Sequence, residues 1–360
     1  MNTSLDRPLM NRPLSGTYPP GSTFKPFMSL AALELGFRRP EQGIRDPGFF
    51  MLGGHRFNDD KPGGHGYVDM YRSIAESCYT YYYQLGNEMG IDNISRFLAP
   101  FGFGSPTGID LEHEKSGVLP SKEWKANRFK RNRAAQKWVG GDTISISIGQ
   151  GFNNYTMIQL AHAVANLANN GVVMKPHLVK LIEDGATRER TLTTPKESRR
   201  IPLKQENIDF IKRAMVGVTQ EAYGTGRRAF ANAGYISGGK TGTAQVIGLK
   251  GGKYNAHAID ERHRDNALYT AFAPADKPRI AIALVVENAG FGAGAAAPIA
   301  RKALDYYLLG KRPAPPAPPA GAPVTAGAKP AAAPAAPAPA AAAPARPAVI
   351  ATAPAATTKE

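Results

Sequence analysis

The spacing of apolar side chains changes character along the chain. In residues 22–35, Phe24, Phe27, Met28, Ala31 and Leu35 recur at helical intervals. Pro26 falls in the first turn, where it is tolerated, and Gly36 supplies a stop. Further helical patterns run over residues 71–89 and 156–169, the second closed by Asn169-Asn170-Gly171. Beyond residue 235 the period falls to two, and residues 235–246, 267–272 and 279–287 read as strands. Pro274-Ala275-Asp276-Lys277-Pro278 turns the last two into a hairpin, and an amphipathic helix over residues 296–309 follows. Residues 43–70, rich in Gly, Pro and Asp, read as a long irregular loop. Helices, then an antiparallel hairpin, then a closing helix predict an α+β domain with helices packed on an antiparallel sheet.

The pattern stops near Gly310. Residues 311–360 are almost entirely Ala, Pro, Gly and Thr, a composition with no large side chains to bury, so they are expected to form a disordered tail after a domain at 1–310. The tail holds five basic residues and one acidic one, so about +11 of the +15 net charge belongs to the folded part. Such a surplus suits an anionic partner: nucleic acid, an acidic membrane surface or a negatively charged polymer. It is densest in residues 122–137, with seven basic groups and one acid around Trp124 and Phe129. No nucleic-acid fold signature accompanies the stretch, so no nucleic-acid partner is expected. It reads as a solvated face, or one turned toward a membrane or an anionic glycan.

Cys78 is the single cysteine, which excludes an internal disulfide. No run of about 18 apolar residues is present to span a membrane, and the first 22 residues lack the apolar core of a signal peptide. Work outside the cytoplasm would therefore require delivery by something upstream of Met1.

Two short motifs carry candidate chemistry. Ser22 and Lys25 are three apart at a helix start, which puts both side chains on one face. A serine hydroxyl becomes nucleophilic when a base takes its proton, and a lysine whose pKa is lowered by burial can be that base. The competing reading is an N-capping serine and a solvated lysine. Lys240-Thr241-Gly242-Thr243 lies in an expected strand after Gly238 and Gly239. A cation, two hydroxyls and a glycine on a strand edge suit a substrate carboxylate on an extended peptide. An ordinary strand with a glycine bulge is the alternative.

Together the motifs form the first and third members of the S-x-x-K, S-D-N and K-T-G set of penicillin-binding proteins and class A β-lactamases. The stretches YPPGSTFKP, GGHGYVD, TGIDLEHEKSGVLP, GDTISISIGQG and GKTGTAQV extend the likeness. Over nearly all of residues 5–310 the sequence resembles the transpeptidase domain of penicillin-binding protein 2, a class B enzyme of cell elongation. The resemblance implies the penicillin-binding protein/serine β-lactamase-like fold and a D,D-transpeptidase. Ser22 would be the acylated nucleophile, Lys25 its base, and Lys240, Thr241, Gly242 and Thr243 the carboxylate site. The N–H groups of Ser22 and Thr243 would form the oxyanion hole. Stem peptides and a lipid-linked precursor would be substrates, and β-lactams would be trapped at the serine. Membrane proteins of the elongation complex would be partners, at the periplasmic face of the inner membrane.

The middle motif falls by position at Ser77-Cys78-Tyr79. Ser77 would relay a proton to the leaving amine. Tyr79, substrate-facing by position, is longer and bulkier than the family's Asn or Asp, so acylation is expected either to be impaired or to tolerate changed geometry. Family members carry an anchor, a pedestal and part of the catalytic sheet before the nucleophile helix, so a chain cut short there is expected to lack sheet strands and stability.

Asp46, Asp59, His65 and Cys78 are an acceptable tetrahedral zinc set, with Asp60 the alternative to Asp59. Their spacing is irregular, and a buried free cysteine among polar loop residues is the other reading. The resemblance implies zinc, since some penicillin-binding protein 2 members carry it in this loop; no organic cofactor is expected. Two further functions compete with transpeptidation: a β-lactamase or D,D-carboxypeptidase passing the acyl group to water, and an inactive, zinc-stabilised interaction module.

Overall fold

The computed structural model describes residues 7–246 and 259–313. Its centre is an antiparallel sheet of three strands, β5 (Gly238–Ala244), β6 (Asn266–Ala273) and β7 (Ile280–Val286), in that spatial order. Every residue of β6 is buried. Alternation along it sends Leu268 and Phe272 into the larger core and Ala267, Tyr269, Ala271 and Ala273 into a second, smaller one. Residues of β7 are half-buried throughout, as expected of an outer strand.

Helices cover both faces of this sheet. The closing helix, Ala296–Leu309, lays Ala296, Ala297, Ala300 and Leu304 on the smaller core. On the other face lie Lys25–Glu34 (α1), Met157–Ala168 and Gln205–Gln220. Nine of the ten residues of α1 are buried, so its role is central support. Thr156 caps the Met157–Ala168 helix by a reciprocal pair of hydrogen bonds with Gln159, a capping box. The α+β class and the layering expected from the sequence are both present.

Two expectations need correction. The stretch 71–89 is two helices, Met70–Ala75 (α2) and Tyr79–Leu98 (α3), because Ser77 takes a positive φ of 67° between them. Residues 43–70 are ordered: Ile44–Asp46 (β1) pairs with Gly66–Val68 (β4), and Phe49–Leu52 (β2) with His55–Asn58 (β3). The basic stretch contains two short helices, Lys122–Arg128 (α4) and Arg133–Gln136 (α5), followed by Gly140–Ser147 (α6). The expected disordered tail lies outside the described residues apart from 311–313. No helix among the described residues is long and apolar enough to cross a membrane.

Candidate active site

Ser22 stands in a 3-10 turn, Gly21–Phe24, that runs directly into α1 at Lys25. Gly21 makes this position possible. Its φ is +52°, and a Cβ there would meet the Thr243 carbonyl oxygen at 2.4 Å. Its N–H donates to the Gly149 carbonyl at 2.9 Å, which pins the turn from the other side. The nucleophile candidate is therefore clamped between β5 and the segment after α6. Gln150 closes the same corner by donating its side-chain amide to the Thr243 carbonyl at 2.8 Å.

Lys25 is fully buried, and Ser22 is 4% exposed. The Lys25 ammonium donates to the Ser77 carbonyl at 2.5 Å and to Ser77 Oγ at 3.1 Å. Burial pushes its pKa down to about 8, against the upward pull of Asp60 and Asp59. Lys240 is also fully buried and donates to the Thr241 carbonyl at 3.1 Å. Burial first, and then the positive charge of Lys25, drives Lys240 well below the ordinary lysine range. Lys25, three residues from Ser22 and lowered to about 8, can take up and return a proton near neutral pH. Thr241 Oγ1 is held at 2.8 Å by Thr225, while Gly242 is buried and Thr243 half-buried.

Ser77, Cys78 and Tyr79 send consecutive side chains to different places. Ser77 faces Lys25. Tyr79 lays its ring 3.9 Å from the Lys25 ammonium, measured to the centroid, and its phenol engages Ser22. Burial, followed by the charge of Asp60, pushes that phenol above its usual range, so it stays protonated. Cys78 turns away from both and joins a second cluster.

That cluster gathers one donor atom each from Asp46, Asp59, His65 and Cys78, all within 4.8 Å of one another. Cys78 Sγ lies 3.5 Å from Asp46 Oδ2 and 3.5 Å from Asp59 Oδ2. His65 Nδ1 lies 2.9 Å from Asp46 Oδ2 and 3.3 Å from Asp59 Oδ1. Donors about 2.0–2.3 Å from a tetrahedral zinc stand roughly 3.3–3.5 Å apart, a spacing that the two Cys78 contacts and the His65–Asp59 contact already have, so the donor chemistry fits such an ion while the set as a whole would have to draw together around it. Burial opposes ionisation of Asp59, yet hydrogen bonds from His65, Asp60 and the backbone hold it well below the usual carboxylate range. Burial raises the Cys78 thiol, with Asp59 adding to the effect. Asp60 is not one of the four. Burial of its carboxyl and the hydrogen bond to Asp59 push it up to about 7, although the residue as a whole is exposed.

All eight residues expected in the catalytic and carboxylate sites, and all four expected ligands, thus converge on two adjoining clusters. Sequence reasoning missed Gln150 and Thr225, which brace Thr243 and Thr241. Gln150 sits in GDTISISIGQG, a stretch that marks the family without revealing the role of its glutamine.

Residues 1–305 match the penicillin binding protein transpeptidase domain. The chain belongs to the penicillin-binding protein transpeptidase family. It is 45% identical over 315 residues to the peptidoglycan D,D-transpeptidase MrdA of Haemophilus influenzae, covering 84% of this chain and 46% of that protein. To MrdA of Escherichia coli it is 42% identical over 307 residues, 84% of this chain and 47% of that one. The chain therefore spans about half the length of the curated relatives it matches. Among solved structures it resembles Pseudomonas aeruginosa PBP2 in complex with WCK 5153, with a TM-score of 0.74 and 38% identity over 86% of this chain and 65% of that one. It also resembles the Helicobacter pylori PBP2 solved in complex with MreC, with a TM-score of 0.72 and 30% identity over 86% of this chain and 53% of that one. These penicillin-binding relatives carry the same α+β transpeptidase fold.

Proposed function

We propose that the chain is the catalytic part of a peptidoglycan D,D-transpeptidase that works through an acyl-enzyme on Ser22. The observation that carries this reading is the burial of Lys25 and Lys240 around a buried serine, with Gly21 clamped against Thr243. Lys25, as the neutral amine, takes the Ser22 proton while Oγ attacks the D-Ala-D-Ala amide carbon of one stem peptide. The N–H groups of Ser22 and Thr243 receive the developing oxyanion. Ser77 passes the proton to the leaving amine, D-Ala departs, and an amine of a neighbouring stem then takes the acyl group from Ser22. Lys240, Thr241 and Thr243 hold the donor carboxylate, and Gly242 allows its backbone to approach. Tyr79 borders that space.

A β-lactam offers the same carbonyl and would remain on Ser22. The MreC complex of the Helicobacter pylori relative supports membrane-associated elongation proteins as partners, and a lipid-linked precursor as substrate suits a place at the inner membrane. The second cluster is read as a zinc site held by Asp46, Asp59, His65 and Cys78, where the ion would tie the β1–β4 region to the start of α3. Intact-mass analysis after incubation with penicillin tests the main reading. One added equivalent that is absent in Ser22→Ala supports it, an unmodified wild-type chain overturns it, and rapid release of hydrolysed product would favour a β-lactamase instead.

A further inference from the structure

Nearly half of the folded part's surplus positive charge is concentrated in one strip. Arg128, Lys130, Arg131, Arg133 and Lys137 are all exposed and no acid interrupts them in sequence. None has an ion-pair partner among the described residues. The neighbouring cations of the same stretch are spoken for: Lys125 is buried and pairs with Asp142 at 2.5 Å, and Lys122 pairs with Asp92. Five unneutralised charges on about ten residues repel one another and persist only at a modest cost, which a polyanion would relieve.

The strip is fastened to the catalytic corner. Phe152 packs against Trp124, Phe129 and Trp138, with ring centroids 5.3, 6.0 and 6.4 Å away. Two residues before Phe152, Gln150 holds the Thr243 carbonyl. On its other flank the strip leads to a groove of about 550 Å³ between Leu52, Gly53, His55 and Phe57 of the β2–β3 hairpin and Gly140 and Gly141. An extended ligand following the strip would have a largely apolar floor in that groove.

We infer that residues 128–137 form an exosite for the carboxylates of a peptidoglycan strand, so that this chain engages several stem peptides of one polymer rather than a single stem. The inference rests on the transpeptidase reading and names the form of its substrate. Three of the five cations are arginines, whose planar forks match carboxylates two bonds at a time. A membrane surface fits less well: the two aromatic residues that could anchor the strip in a bilayer, Trp124 and Phe129, are turned inward onto Phe152.

The test uses the full chain and its Arg128→Gln/Arg131→Gln/Arg133→Gln variant, with thermal melting to verify folding and each single substitution made alongside. The probes are a soluble, uncross-linked peptidoglycan strand of several pentapeptide-bearing repeats, one isolated pentapeptide, and vesicles containing anionic phospholipid. The triple variant should bind the polymer about tenfold more weakly and with a shallower salt dependence. Its affinity for the single pentapeptide and its rate of acylation by penicillin should stay within about twofold of wild type. Unchanged polymer affinity, an equal loss toward the single pentapeptide, or a loss confined to vesicles would each overturn the exosite. Failure of penicillin to acylate wild type would instead overturn the Ser22 reading, while the polymer measurement still decides the exosite.

Discussion

Two clusters of buried polar side chains meet at the Ser77-Cys78-Tyr79 turn, and their charges are opposite. On one side Lys25 and Lys240 are cations driven toward neutrality, with Ser77 and Tyr79 as the groups that touch Lys25. On the other, Asp46 and Asp59 are carboxylates held ionised around His65 and Cys78. The first arrangement has positive charge to lose, which is what a base needs. The second has negative charge to neutralise, which is what a cation site needs. The difference teaches that burial opposes charge in both clusters and decides only where nothing outweighs it: it prevails at the two lysines, while at Asp59 hydrogen bonds from His65, Asp60 and the backbone overcome it. One tripeptide serves both clusters because the positive φ at Ser77 ends α2 and lets successive side chains diverge.

The comparison breaks first at the nucleophile. Ser22→Ala should abolish covalent labelling by penicillin, and Lys25→Ala should slow it by about 100-fold or more, the range for loss of a general base. Stopped-flow acylation with intact-mass endpoints measures both. Labelling that survives in Ser22→Ala would place the reactive hydroxyl elsewhere. Changes in the second cluster should act differently. Purified without chelator, the protein should carry close to one zinc per chain, and a chelator should lower its melting temperature by roughly 5 °C or more, since the ion binds only the folded state. His65→Ala and Cys78→Ser should each remove that response. Cys78→Ser should also slow acylation, because Cys78 adjoins Ser77, whereas His65→Ala should act mainly on stability. Metal analysis showing no zinc would leave Cys78 as a buried thiol.

A third expected effect concerns pH. Burial places Lys25 at about 8, so its neutral form grows as pH rises through that value. Acylation should climb about tenfold between pH 7 and 9 and then level off, as expected when the base form limits the rate. A rate that falls over this interval would mean that the ammonium, not the amine, is the working form.

How much of this was legible depended on whether the signal was local. Ser22-x-x-Lys25 and Lys240-Thr241-Gly242-Thr243 each lie within four residues, and the period changes around them placed one at a helix start and the other in a strand. The four ligand positions could be named from residue type, but only the family resemblance favoured zinc over a buried thiol, since residues 46 to 78 hold several other polar side chains at equally irregular spacing. The strands of 43–70 were hidden because each spans three or four residues, too few for a period to show. The break at Ser77 is a tertiary effect: an ordinary serine takes a left-handed backbone where its carbonyl receives the Lys25 ammonium. The helix Gln205–Gln220 does carry Ile208, Ile211, Met215 and Val218 at helical spacing, muted by a polar first turn. Gln150 and Thr225 had no local signal, because their work is to brace residues far away in sequence.

The smallest expected effect sharpens the comparison most, because it concerns the residue that departs from the family pattern. The Tyr79 ring stands 3.9 Å from the Lys25 ammonium, near enough for its π face to favour the charged form. Such a contact is worth about 1 kcal/mol, which would hold back the neutral base by roughly fivefold. Tyr79→Asn removes the ring and restores the shorter amide, so acylation at pH 7 should speed up by a few-fold. The gain should shrink above pH 9, where Lys25 is already neutral. Tyr79→Phe keeps the ring and loses the hydroxyl, so it should track wild type if the π face is what matters. A matching gain in Tyr79→Phe would move the cause to the phenol that engages Ser22. Slower acylation in Tyr79→Asn at every pH would show that the tyrosine is part of a working site, with Lys25 tuned around it.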